Sequence, residues 1–146
     1  MGNYITKKYP SKVSYGLLTF IFLVFFGPLV PDLMNGELNG KMITAIGFLL
    51  FVFAFILHLF LKTQYTIENN NLKIKCGLFS YKPIQIDDIK EISKTRNIIS
   101  SPAPSFDRIE IKYGKFNEII ISPKNKFDFA NELKNINPNI KNNITQ

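Results

Sequence analysis

Residues 42–76 read MITAIGFLLFVFAFILHLFLKTQYTIENNNLKIKC, and the change of pattern inside them decides the fold. From Met42 to Leu61 there are twenty positions without Asp, Glu, Lys or Arg. A helix needs about 20 apolar residues to cross a hydrocarbon core of roughly 30 Å. At Thr63 the period changes. Tyr65 and Ile67 alternate with polar residues, 68–71 (ENNN) is a turn signal, and Leu72, Ile74 and Cys76 alternate with Lys73 and Lys75. That pattern predicts a β-hairpin. Only Lys62 and Thr63 separate the apolar run from the alternation, so a β domain sits within a few residues' reach of the helix end.

Upstream, residues 13–31 carry no charge. This run predicts a first membrane helix over about 15–34, paired with a second over about 42–61. Gly27, Pro28 and Pro31 fall near its far end, where proline kinks or ends a helix. A cleavable signal peptide would need a small-x-small site after the apolar centre, and Gly-Pro-Leu-Val-Pro-Asp follows instead. Lys7, Lys8 and Lys12 precede the first run, Lys62, Lys73 and Lys75 follow the second, and the connecting loop has only Lys41. The positive-inside rule then expects a multi-pass protein of the plasma or inner membrane with both termini cytoplasmic. His58 lies about one turn from Lys62, within reach of the interface, and no carboxylate in either run pairs with it. A proton relay is not expected.

Downstream, a short third strand is expected over 79–85, then a helical turn around Ile86 and a strand ending near Arg96. The segment 97–106 (NIISSPAPSF), with three serines and two prolines, reads as loop. Residues 108–113 (RIEIKY) and 118–122 (EIIIS) predict a hairpin about a turn at 114–117. A helix capped by Ser122 or Asn125 should run to about Asn135, with Phe127, Ala130, Leu133 and Ile136 on its inner face. The tail from Asn137 is expected to fray. The organisation is therefore a basic segment (1–14), a two-helix hairpin (15–61), an α+β domain (62–136) and a polar tail (137–146). The domain should be an antiparallel barrel or sandwich of about six or seven strands with one C-terminal helix.

The net charge is +7, divided as +3 over residues 1–14, −1 between the apolar runs and +5 from Lys62 onward. Such a balance suits an anionic surface, and with two membrane runs in the chain the bilayer is the economical partner. The single cysteine, Cys76, excludes an internal disulfide. The β domain has no histidine, so a Cys/His dyad, a Ser-His-Asp triad and a Cys/His zinc cluster are excluded within it. Gly77 and Gly114 are isolated and form no phosphate loop. Asp87, Asp88 and Glu91 are the one acidic cluster, and a solvated turn accounts for them better than a pair of catalytic carboxylates. No catalytic residue, cofactor or metal is expected. Ser101 and Ser105 beside Arg108 form a candidate contact for a partner or an anionic group, and Lys73 and Lys75 a candidate lipid contact. The aromatics fall on core positions, so nucleic acid is not an expected partner.

The runs 63–77 (TQYTIENNNLKIKCG), 83–92 (PIQIDDIKEI), 94–113 (KTRNIISSPAPSFDRIEIKY) and 119–129 (IIISPKNKFDF) together resemble a bacterial pleckstrin-homology-like domain of the type attached to N-terminal membrane helices. The resemblance covers about residues 62–136. Its most specific part is the serine-proline segment leading to Ser105, Asp107 and Arg108, followed by Ile121-Ser122-Pro123. It implies a barrel of about seven strands capped by a helix. For function it implies a membrane-anchored, non-catalytic binding or adaptor module for a membrane protein or peptide. A bacteriocin self-immunity protein and an anionic-lipid-binding surface protein are the alternatives, and homo-oligomers are compatible with each. Phosphoinositide binding of the eukaryotic type uses a basic first hairpin loop, and residues 68–71 (ENNN) contain no base. Fold alone does not set function.

Overall fold

A computed structural model describes residues 6–36, 38–97 and 103–144. After an N-terminal strand, β1 (Lys7–Pro10), comes helix α1 (Tyr15–Phe26), whose cap Ser14 accepts from the Leu17 amide. A 3₁₀ turn (Gly27–Leu29) and a short helix α2 (Val30–Met34) continue it. Pro28 and Pro31 each sit at the start of their element, where a missing N–H costs nothing, so the chain stays helical through the break. Helix α3 (Gly40–Leu61) begins at Asn39, whose side chain accepts from the Met42 amide. Tyr15–Met34 and α3, 20 and 22 residues long, are long and apolar enough to cross a membrane. Phe22 and Phe26 of α1 meet Phe53 of α3 at ring distances of 5.5 and 6.0 Å, while Phe20, Phe48 and Phe51 stand exposed on the outside.

The β domain has two sheets. The first contains β1, β2 (Thr63–Glu68), β3 (Asn71–Cys76), β4 (Phe79–Ser80) and β5 (Ile84–Gln85), in the order β1-β2-β3, with β4 and β5 both paired to β3. A 3₁₀ turn (Ile86–Asp88) leads to the second sheet: β6 (Ile89–Thr95), β7 (Arg108–Tyr113), β8 (Asn117–Ile121) and β9 (Lys141–Asn142), in the order β8-β7-β6-β9. Helix α4 (Lys126–Ile136) follows β8. Alternation works as expected: Tyr65, Ile67, Leu72, Ile74, Ile109, Ile111 and Ile121 face a common core. Asn69 and Asn70 between β2 and β3 both have positive φ, 48° and 62°, the geometry of the tight hairpin turn that matches strand twist.

The structure departs from the sequence expectations in four places. The third strand is split, because Tyr81, Lys82 and Pro83 stand opposite only Lys73 and Ile74 of β3. An extra residue, and a proline with no N–H to give, interrupt the ladder. On α4 the buried residues are Phe129, Ala130 and Leu133, whereas Phe127 is half-buried and Ile136 is exposed. Phe129 meets Tyr9 of β1 edge-on at 5.1 Å, and this partner from the N-terminal segment selects the face. The tail does not fray up to Ile144. Ile140 is buried, the Asn137 amide side chain donates to the Ile86 carbonyl at 3.0 Å, and β9 pairs in parallel with β6.

The fourth departure is the N-terminal segment, expected only as a basic flank. β1 pairs with β2 in the register Lys8↔Thr66 and Tyr9↔Tyr65. The chain then crosses to the other sheet, with Ser11 bridging Pro123 and the Lys12 amide donating to the Ser122 carbonyl at 2.7 Å. Residues 7–14 thus close the seam between the sheets, and α1 leaves from that seam.

Candidate functional site

The direction of β2 defines two ends of the domain. β2 starts one residue after α3 ends, and a six-residue strand at about 3.3 Å per residue carries its far turn roughly 20 Å away. The β3–β4 turn, residues 96–97 and 103–107 at the ends of the β6–β7 connection, residues 11–14 and the start of α4 lie at the near end. The Asn69-Asn70 turn, the Ile86–Asp88 turn and the β7–β8 turn lie at the far end.

The near end is tied by polar groups, of which Ser11, Tyr65 and Ser122 are buried. The Ser11 hydroxyl donates to the Ser122 carbonyl at 3.1 Å and lies 3.2 Å from the Tyr65 hydroxyl, which accepts from the Ser122 amide. Burial raises the Tyr65 phenol above its ordinary value, against the hydrogen bonds from Ser11 and Ser122. Asp107 receives Lys12 at 2.9 Å and Lys126. Burial pushes its carboxyl up, but the bonds from Lys126 and Lys12 outweigh that and hold it below its ordinary value. At the other end of β1, Lys7 reaches Glu132 and Asp128 at 3.1 and 3.3 Å, and the Tyr9 hydroxyl donates to Asp128. The bonds of Lys7 and Tyr9 to α4, of Ser11 to Ser122 and of Lys12 to Asp107 each join the N-terminal segment to a residue more than ninety positions away.

The residues singled out from sequence are placed as follows. Ser105 and Arg108 come together and are both buried. The guanidinium donates to the carbonyls of Ser105 and Asn97, and burial lowers its pKa. Ser101 lies outside the described residues. Lys73 and Lys75 share the outer face of the first sheet, on adjacent rungs with Lys8-Thr66 and Gln64. Both are exposed, and Lys73 is paired with Glu68 at 2.6 Å. The acids Asp87, Asp88 and Glu91 diverge: Asp87 accepts from Asn70, and Glu91 faces Lys112 and Asn143. Among the described residues no group of three or more His, Cys, Asp or Glu converges as a metal site.

Sequence reasoning missed two features. The first is the seam, because four residues, Lys7-Lys8-Tyr9-Pro10, are too short a run to show alternation. The second is the far end. There Lys82, Pro83, Gln85, Asp88, Tyr113 and Asn117 line an open cleft of about 430 Å³. Phe116, 89% exposed, projects from the adjoining β7–β8 turn. Glu110 lies beside Glu118 on the outer face of the second sheet; burial, then that neighbouring carboxyl, raise its pKa.

The architecture defines a class: a two-sheet β domain with one C-terminal helix, joined without a linker to two long apolar helices. The profile of the bacterial PH domain family matches residues 63–137, just over half of the chain. The chain belongs to that family. β1 and β9 lie outside the matched residues. No match was found among curated proteins or among solved structures.

Proposed function

We propose that this protein is a non-catalytic binding module clamped to the cytoplasmic face of a bacterial membrane, presenting its far end to a protein or peptide partner. One observation carries the reading. Both ends of the apolar hairpin are knit into a single β domain, β1 by its pairing with β2 and Ser14 by donating its amide to the Pro104 carbonyl. A domain held at two points keeps one end toward the bilayer and the other toward the cytosol. The lysine distribution supports the cytoplasmic side. The far end supplies a cleft and an exposed aromatic anchor, the kind of feature that dominates binding energy at interfaces. The first hairpin loop, the phosphoinositide-binding element of eukaryotic relatives, lies at this far end and contains no base. Self-immunity, if that is the physiological setting, would use the same surface.

The test is in-cell photocrosslinking from the full-length chain, with the reactive side chain at Phe116 and, as control, at Lys75. A protein captured from Phe116 and not from Lys75 supports the reading. Capture of lipid alone from both positions contradicts it and moves the function to the leaflet.

A further inference from the structure

Leu78, in the turn between β3 and β4, and Phe79, the first residue of β4, are 74% and 58% exposed, although nearly every other large apolar side chain of the two sheets is buried. Their position explains what could cover them. Gly77 lies against the last turn of α3. A Cβ added there would stand 2.7 Å from the Leu59 side chain and 3.3 Å from His58, and the Gly77 amide donates to the Lys62 carbonyl at 3.2 Å. The turn is thereby held level with the end of the apolar helix. Tyr81, also exposed, follows, and Lys62, whose carbonyl receives the Gly77 amide, and Lys75, opposite Ser80, flank the group, both exposed. Apolar tips with an aromatic flank and a basic rim, at the depth where a span ends, match the boundary between headgroups and acyl chains.

We infer that Leu78 and Phe79 form a membrane wedge, inserted into the leaflet from which α3 emerges, with the lysines on anionic headgroups. The inference rests on the membrane-anchored reading above. It gives the domain a third attachment beyond its two helix junctions and fixes its tilt, so that the far-end cleft faces away from the bilayer.

The chain contains no tryptophan, so each single-tryptophan variant is its own reporter. Full-length Phe79→Trp, Phe55→Trp and Phe116→Trp would be reconstituted in vesicles of phosphatidylcholine and phosphatidylglycerol carrying brominated acyl chains. Phe79→Trp should lose emission strongly to bromines high on the chain and weakly to bromines near its tip. Phe55→Trp should be quenched by deep bromines, and Phe116→Trp by neither. Unquenched Phe79→Trp beside quenched Phe55→Trp overturns the wedge and leaves the anchor standing. Unquenched Phe55→Trp overturns the anchor and the wedge with it. Equal quenching at Phe79→Trp and Phe116→Trp also overturns the wedge. Leu78→Trp repeats the measurement if Phe79→Trp fails to fold.

Discussion

The two ends of the β domain are built from different materials. At the near end, buried Ser11 is paired with Tyr65 and Ser122, buried Arg108 with the backbone of its own loop, and the partly buried Asp107 ties Lys12 to Lys126. At the far end the buried Asn137 amide holds the Ile86–Asp88 turn, but the turns are short and one phenylalanine is almost fully exposed. Buried paired groups are costly to disturb and hold a geometry, whereas exposed groups are free to meet something else. The proposed function uses that difference, with attachment at the near end and recognition at the far end.

Substitutions at the two ends should therefore separate stability from binding. Tyr9→Ala removes the ring against Phe129 and the bond to Asp128, and should cost about 3–5 kcal/mol, read as a lowered midpoint in thermal unfolding of the reconstituted protein. Phe116→Ala, an equally large truncation, should stay within about 0.5 kcal/mol of the parent while abolishing crosslinking at that turn. Equal losses from the two would break the comparison.

Tyr65→Phe deletes one hydroxyl and strands the Ser122 amide and Ser11 in the core. A loss of about 1–3 kcal/mol is expected, with Tyr113→Phe at the far end nearly silent in the same melt. Gly77→Ala meets Leu59 and requires alanine at φ +57°, which alone costs about 1–2 kcal/mol. Asn70→Ala at the far turn, also at positive φ, sharpens the comparison, because it carries a backbone cost and the loss of one exposed bond to Asp87 without a collision.

The smallest effects are electrostatic and of opposite sign. Asp107 is held below its ordinary 3.8. Its contribution is present above that pH and lost as pH falls through the lower folded value. Glu110 is raised above its ordinary 4.5. Its carboxyl opposes folding increasingly as pH rises from 4.5 through the folded value. At pH 7, Asp107→Asn should destabilise and Glu110→Gln should stabilise, each by less than about 1 kcal/mol, in paired melts at pH 7 and pH 4. The same sign for both at pH 7 would contradict the assignment.

The hairpin at Asn69-Asn70, the β7–β8 hairpin and both apolar helices were legible because period and turn chemistry are local signals. So was the helical turn around Ile86, present as the 3₁₀ turn Ile86–Asp88. The inner face of α4 was not, because Phe127 and Phe129 are equally apolar and only the docking of Tyr9 chooses between them. β1 and β9 were hidden for a related reason: strands of four and two residues exist through their partners, not through their own pattern. At the candidate site, the burial of Ser105 and Arg108 depends on tertiary packing that no spacing reveals. The far-end cleft joins residues from β5, the 3₁₀ turn and β7–β8, a juxtaposition visible only after folding.

The central claim is that both ends of the apolar hairpin return to one domain on one side of a membrane. Its most direct test is cysteine accessibility in intact cells, with Cys76 replaced by serine and single cysteines placed at Lys8, Leu38 or Phe116. An impermeant maleimide should label Leu38→Cys from outside, and reach Lys8→Cys and Phe116→Cys only after the membrane is opened. Labelling of Lys8→Cys and Phe116→Cys from opposite sides would contradict the β1–β2 pairing and the account built on it.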